Sequence, residues 1–141
     1  MISDEMKKIL EHITTQGKMR FLNGATEEQI LFFENKNGIT FPAQYRDWLK
    51  YSDGGELFLP AGVQFYGVAH KPMIDINDSY IPNEEYIVIG VLASGDSILC
   101  KNEGEQIAIY NHEDSRIEED EVYQDFYAFL GDLYELLGLG E

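Results

Sequence analysis

Apolar residues recur at helical spacing in the first part of the chain. Over residues 3–16, Met6, Ile9, Leu10 and Ile13 share one face. Ser3 or Asp4 caps the start of this predicted helix and Gly17 ends it. Residues 17–25 read as a connection. A second helix begins at "TEEQ", where Thr26 and Gln29 stand at capping-box spacing. Ile30 and Phe33 face inward, with Leu31 beside them, and Asn37 and Gly38 close the helix. The third helical stretch is "ITFPAQYRDWLKYSDGG" at 39–55. Pro42 suits a first helical turn, where its missing N–H costs nothing. Tyr45, Trp48 and Leu49 form an apolar stripe, and Arg46, Asp47 and Lys50 point away from it. Gly54 is expected to end this helix in the left-handed conformation, and Gly55 to let the chain reverse.

The period then drops to two. "GVQFYGV", around Val63 and Phe65, reads as a strand. "YIVIGVL" at 86–92 is almost continuously apolar and reads as a central strand. "ASGD" turns into "SILCK", and "NEGE" turns into "QIAIY", as in a meander with hairpin loops. Helical spacing returns in "DFYAFLGDLYELLG". There Phe126, Leu130, Leu133 and Leu137 make a core stripe flanked by Phe129 and Tyr134, with Asp125 as N-cap and Gly138 at the end. Helices, then strands, then a helix predict an α+β fold. Its antiparallel-rich sheet, a meander of about four or more strands, is covered by N-terminal helices and a C-terminal helix. The stretch 67–85, bracketed by Pro72 and Pro82, is the least regular, with room for a short helix near 74–79. Connections of this length often carry function.

Composition narrows the class. The chain has 141 residues, 44% of them hydrophobic, which suits a single domain over 1–141 with a real core. The charged N-terminus lacks the apolar run of a signal peptide, and no stretch is apolar enough to span a membrane. The one cysteine, Cys100, allows no internal disulfide, which fits a reducing cytoplasm. With 26 acidic against 10 basic residues, the formal charge is -16. Such a chain repels nucleic acid and anionic lipid and attracts a basic protein. Acidity also keeps a small protein soluble without any partner.

Catalytic and metal motifs fail on spacing. His112, Glu113 and Asp114 are adjacent in sequence and cannot share one face, so "YNHEDSR" reads as a polar turn. "DINDSYIPNEEY" places Asp75, Asn77 and Ser79 like calcium ligands. It then has Tyr80 where a glycine is required and Tyr86 where a glutamate is required. Ser94 lies in a hairpin turn rather than a nucleophile elbow. Cys100 lies in a strand and reads as buried, and His12 and His70 have no evident partners. Gly54 and Gly55 have no following helix or basic residue with which to cradle a phosphate. No catalytic, cofactor or metal residue is predicted. What remains is charge. Asp75, Asp78, Glu84 and Glu85, with Tyr80, form one candidate partner-binding patch in the irregular connection. Glu118, Glu119, Asp120 and Glu121 form a second, placed just before the last helix, where they would also suit its dipole.

The order of motifs resembles the SUKH superfamily, the Smi/Knr-type domain. The features are Glu34 in the second helix, Phe41-Pro42, the aromatic helix ending Asp53-Gly54-Gly55, Ile89-Gly90, Gly95-Asp96, and Asp125-Phe126 through Phe129-Leu130. The resemblance runs from about Thr26 to Leu137. Phe41, Asp53 and Asp125 replace the usual Leu, Asn and Ser, each keeping an apolar or short-side-chain capping role. The connection 67–85 looks shorter than in many relatives. The resemblance implies a cytoplasmic, non-catalytic binding module. It would be an immunity protein neutralising a basic toxin domain, often a nuclease in this superfamily, or alternatively a regulatory scaffold linked to cell-wall synthesis. It leaves the toxin and the oligomeric state open.

Overall fold

The computed structural model describes residues 3–59, 62–70, 73–74, 86–114 and 116–137, with backbone only for 118–121. In chain order the elements are α1 (Asp4–Thr14), β1 (Lys18–Arg20), α2 (Glu27–Asn37), α3 (Ala43–Tyr51), β2 (Gly55–Leu59), β3 (Val63–Phe65), β4 (Tyr86–Leu92), β5 (Ser97–Lys101), β6 (Ile107–Asn111), β7 (Arg116–Tyr123) and α4 (Phe126–Leu136). Among the described residues seven strands pair antiparallel in sequence order, with β4 central among them. The predicted α+β class holds. Three strands that the periodicity did not reveal, β1, β2 and β7, extend the meander at both ends.

Strand alternation divides the sheet. One face carries Phe65, Ile87, Ile89, Ile98, Cys100, Ile107 and Ile109, which join all four helices in a single core. Tyr86, Val88, Leu99, Ala108 and Tyr110 form a smaller cluster on the other face. Burial on both faces is the reason "YIVIGVL" reads as a continuous apolar run.

The helix boundaries follow local chemistry. Ser3 caps α1 through the N–H of Met6. Thr26 and Gln29 complete a capping box on α2, whose end is closed by Gly38 in the left-handed conformation. Asp125 caps α4 through the N–H of Ala128. α3 ends differently from expectation. Its C-cap is Ser52 in extended conformation, and the positive φ angles come later, +99° at Gly54 and +108° at Gly55. Gly55 does not reverse the chain but opens β2. Leu31 faces outward rather than inward, and Leu137 is only partly buried.

Tyr45 and Trp48 anchor α3 in the core. Trp48 is fully buried and packs against Phe65 and Phe126 with ring centroids 5.5 and 5.9 Å apart. Its Nε1–H donates to the carbonyl of Gly54 at 2.9 Å. The Tyr45 hydroxyl donates to the carbonyl of Tyr66 at 2.6 Å. Burial pushes the Tyr45 hydroxyl well above its ordinary range.

Trp48→Ala is expected to destabilise the fold by about 3–5 kcal/mol, because the aromatic cluster cannot close the cavity. A chemical-denaturation midpoint close to that of the parent would contradict the packing described. Gly54→Ala should also destabilise, since a Cβ there meets the Phe65 carbonyl at 2.8 Å at a φ that L-residues rarely adopt. A melting temperature unchanged by this substitution would contradict that geometry.

Candidate partner-binding face

Two buried carboxylates organise the helical side. Asp53, fully buried, follows directly on α3. Its Oδ1 accepts the N–H of Val68 at 2.7 Å. Its Oδ2 accepts the N–H groups of Ala69 and His70, each at 2.8 Å, and sits 2.9 Å from His70 Nδ1. Successive amides converging on one carboxylate make a tight loop, and Gly67 permits it, because a Cβ there would lie 2.6 Å from Asp53 Oδ1. Asp53 therefore caps a loop rather than a helix. His70, read from the sequence as unpartnered, is held by Asp53. The loop continues into the parallel bridge between Gly67 and Met73.

Glu34, the second buried carboxylate, accepts the Phe41 N–H at 2.8 Å and Arg46 Nε at 3.3 Å. Arg46 also reaches Glu27, which pairs with Lys50 at 2.5 Å. These contacts tie α2 to α3. Its hydrogen bond to Arg46 and then that to Lys50 hold the Glu27 carboxyl down, from 4.5 to about 2. The same pairing with Glu27 raises Arg46.

The histidines do not build a catalytic arrangement. His112 Nδ1 lies 2.5 Å from Asp96 Oδ1, which joins the β4–β5 turn to the β6–β7 turn. Asn111 Oδ1 accepts the N–H groups of Glu113 and Asp114, so "NHED" is the polar turn expected. Among the described residues, no hydroxyl or thiol is hydrogen-bonded to the ring of His70 or His112. Cys100 is buried and its thiol is pushed upward by burial. Among the described residues, no group of three or more His, Cys, Asp or Glu side chains is placed to hold a metal ion. No helix there is long and apolar enough to cross a membrane.

Of the predicted partner residues, Asp75, Asp78, Tyr80, Glu84 and Glu85 lie outside the described residues, as does the short helix expected at 74–79. Glu118, Glu119, Asp120 and Glu121 do not flank a helix. Their backbone belongs to the edge strand β7, at the register shift between the pairs Tyr110–Ile117 and Ala108–Val122. The run thus lies within a strand rather than in the turn before α4, and Asp125 performs the capping. Sequence reasoning also missed the outward placement of Leu31 and the exposure of Phe32. The four apolar letters of "ILFF" were available as a signal, since one helix cannot turn all of them inward.

These features define an α+β domain with one antiparallel sheet backed by helices. The model of the SMI1 / KNR4 family (SUKH-1) matches residues 24–132, and the chain belongs to that family. The family is associated with protein–protein interaction in general. No curated protein matches the chain.

Two outcomes test the polar anchors. Asp53→Ala leaves one buried and two partly buried amides without their acceptor and should cost roughly 2–3 kcal/mol. Amide exchange should accelerate first at residues 68–70, and protection there equal to the parent's would refute the clamp. The Glu27 pairing predicts a pH dependence. A folded-state pKa below the ordinary value stabilises above pH 4.5 and is lost as pH falls through about 2. The melting-temperature gap between the parent and Glu27→Gln should be constant above that window and vanish below it.

Proposed function

We propose that the protein is a non-catalytic immunity protein that neutralises a basic toxin domain, such as a nuclease, inside the producing cell. The observation that carries this reading is the net charge of -16. Two acidic residues are consumed as buried anchors of the fold, Glu34 and Asp53. The large remaining excess makes a long-range field that steers a cationic partner and repels nucleic acid. Membership of the SMI1 / KNR4 family supports a binding role. Both loop histidines are paired with carboxylates, in bonds that tie loops together. The proposed contact residues are Asp75, Asp78, Tyr80, Glu84 and Glu85, with the run Glu118, Glu119, Asp120 and Glu121 as a second patch.

The decisive experiment is affinity capture from the native cell, followed by co-expression of the captured protein with and without this chain. A basic partner that is toxic alone and harmless in the pair is the expected result. A captured partner without toxicity would instead indicate a regulatory scaffold. Association should be fast at low salt and slow as the Debye length falls to roughly 10 Å at 0.1 M. Charge reversal to lysine at Asp75, Asp78, Glu84 and Glu85 should lower the association rate more than the same change at Glu118 to Glu121. Indifference to salt and to both reversals would leave acidity with no role beyond solubility.

A further inference from the structure

Helix α2 is apolar on two sides. Ile30 and Phe33 enter the core, while Leu31 and Phe32 are 44% and 68% exposed on the opposite side. Phe32 is the most exposed large apolar side chain among the described residues. Large apolar side chains standing together on the outside of a helix mark an interaction surface. Here one side is open to water.

This open side has a definite relief. Phe32 borders a depression it shares with Gln29, Val68 and Ala69. Leu31 borders a second, wider one with a floor that includes Ile39, Phe41 and Ala43. The two depressions flank α2, and Leu31 and Phe32 form the ridge between them. The relief is built in advance. The capping box and Gly38 fix both ends of α2, Glu34 and Arg46 hold it to α3, and Asp53 holds the loop bearing Val68 and Ala69.

The rim decides what fits. Glu27 and Glu28 line the near sides of the two depressions, and Glu103 and Glu105 line the far wall of the wider one. The nearby cations Arg46 and Lys50 are engaged by Glu27 and Glu34. With Glu27 engaged by both cations, Lys36, lying 6.0 Å from the Phe32 ring centroid, does not offset the remaining three carboxylates of Glu28, Glu103 and Glu105. A second copy of this chain would bring another charge of -16 to the same place. We infer that the outer face of α2, with Leu31 and Phe32 as its ridge, docks a basic amphipathic segment of a protein partner, whose Lys and Arg side chains meet the glutamate rim while its apolar face covers the ridge. This rests on the proposal of a basic partner and adds residues that neither acidic run contains.

The test uses two labelled peptides of equal charge, one of Lys and Leu in amphipathic helical order and one of Lys and Ser. The Lys/Leu peptide should bind the intact protein more tightly, shifting amide resonances at 28–32, 39–41 and 68–69. Leu31→Ser with Phe32→Ser should weaken it by about tenfold, as expected for an exposed apolar anchor, and leave the Lys/Ser peptide unaffected. Both side chains are exposed, so the melting temperature should hold. Should the double variant misfold, Phe32→Ser alone serves. Equal affinity of both peptides, or binding indifferent to the ridge variants, overturns the inference. So does a concentration-dependent dimer of the parent that Phe32→Ser abolishes, since a second copy would then be the occupant. The two proposals fail separately. A toxin neutralised fully by the Phe32→Ser variant sinks the ridge alone, and a non-toxic basic partner that needs the ridge sinks the immunity role alone.

Discussion

The buried carboxylate of Asp53 is the contact on which the rest of the helical side depends. It stands at the junction of α3, the loop at 67–70 and the start of β2, and backbone amides and the His70 ring occupy its oxygens. Its neighbours in sequence complete the junction. Ser52 Oγ accepts the N–H of Leu22 and donates to the carbonyl of Gly54, which also receives Trp48 Nε1–H. Two segments distant in sequence, at Leu22 and at 68–70, therefore meet the end of α3 within "SDGG", and two successive positive φ angles let the chain leave as a strand. A buried polar group is tolerated only when such donors replace water.

The second polar anchor works by the same physics nearer the surface. Glu34 is buried against an amide and a guanidinium, and Arg46 passes the connection outward to Glu27 and Lys50. Charge is thereby sorted. A few carboxylates serve the fold, and the excess remains to generate a field. A field attracts without discriminating, so specificity needs shape as well. The ridge of Leu31 and Phe32 between its two depressions supplies shape that the acidic runs alone do not.

The sheet was legible where strands are buried and hidden where they are short or polar. β4, β5 and β6 announce themselves because one or both faces enter a core. β1 is three residues long and flanked by turn-like sequence, so nothing local separates it from a loop. β7 is written in charged residues, since an edge strand pairs through backbone on one side only and tolerates charge along its length. Its acidic run consequently reads as a surface patch, and the sequence gives no cue that it lies against β6. The candidate site was legible only as charge. The connection at 67–85 was marked as unusual, but its anchoring by Asp53 joins residues too far apart for any window to detect.

Periodicity and capping chemistry by themselves determined the four helices, the central meander, the α+β class and the buried role of Tyr45, Trp48 and Leu49. These are properties of contiguous residues, set by backbone geometry and by which side chains avoid water. The motif order further determined the family. Only tertiary structure decided that Asp53 clamps a distant loop, that Glu118 to Glu121 run along a strand, and that Leu31 joins Phe32 on the outside of α2. Each of those outcomes depends on what another part of the chain brings alongside, and a one-dimensional pattern carries no record of that.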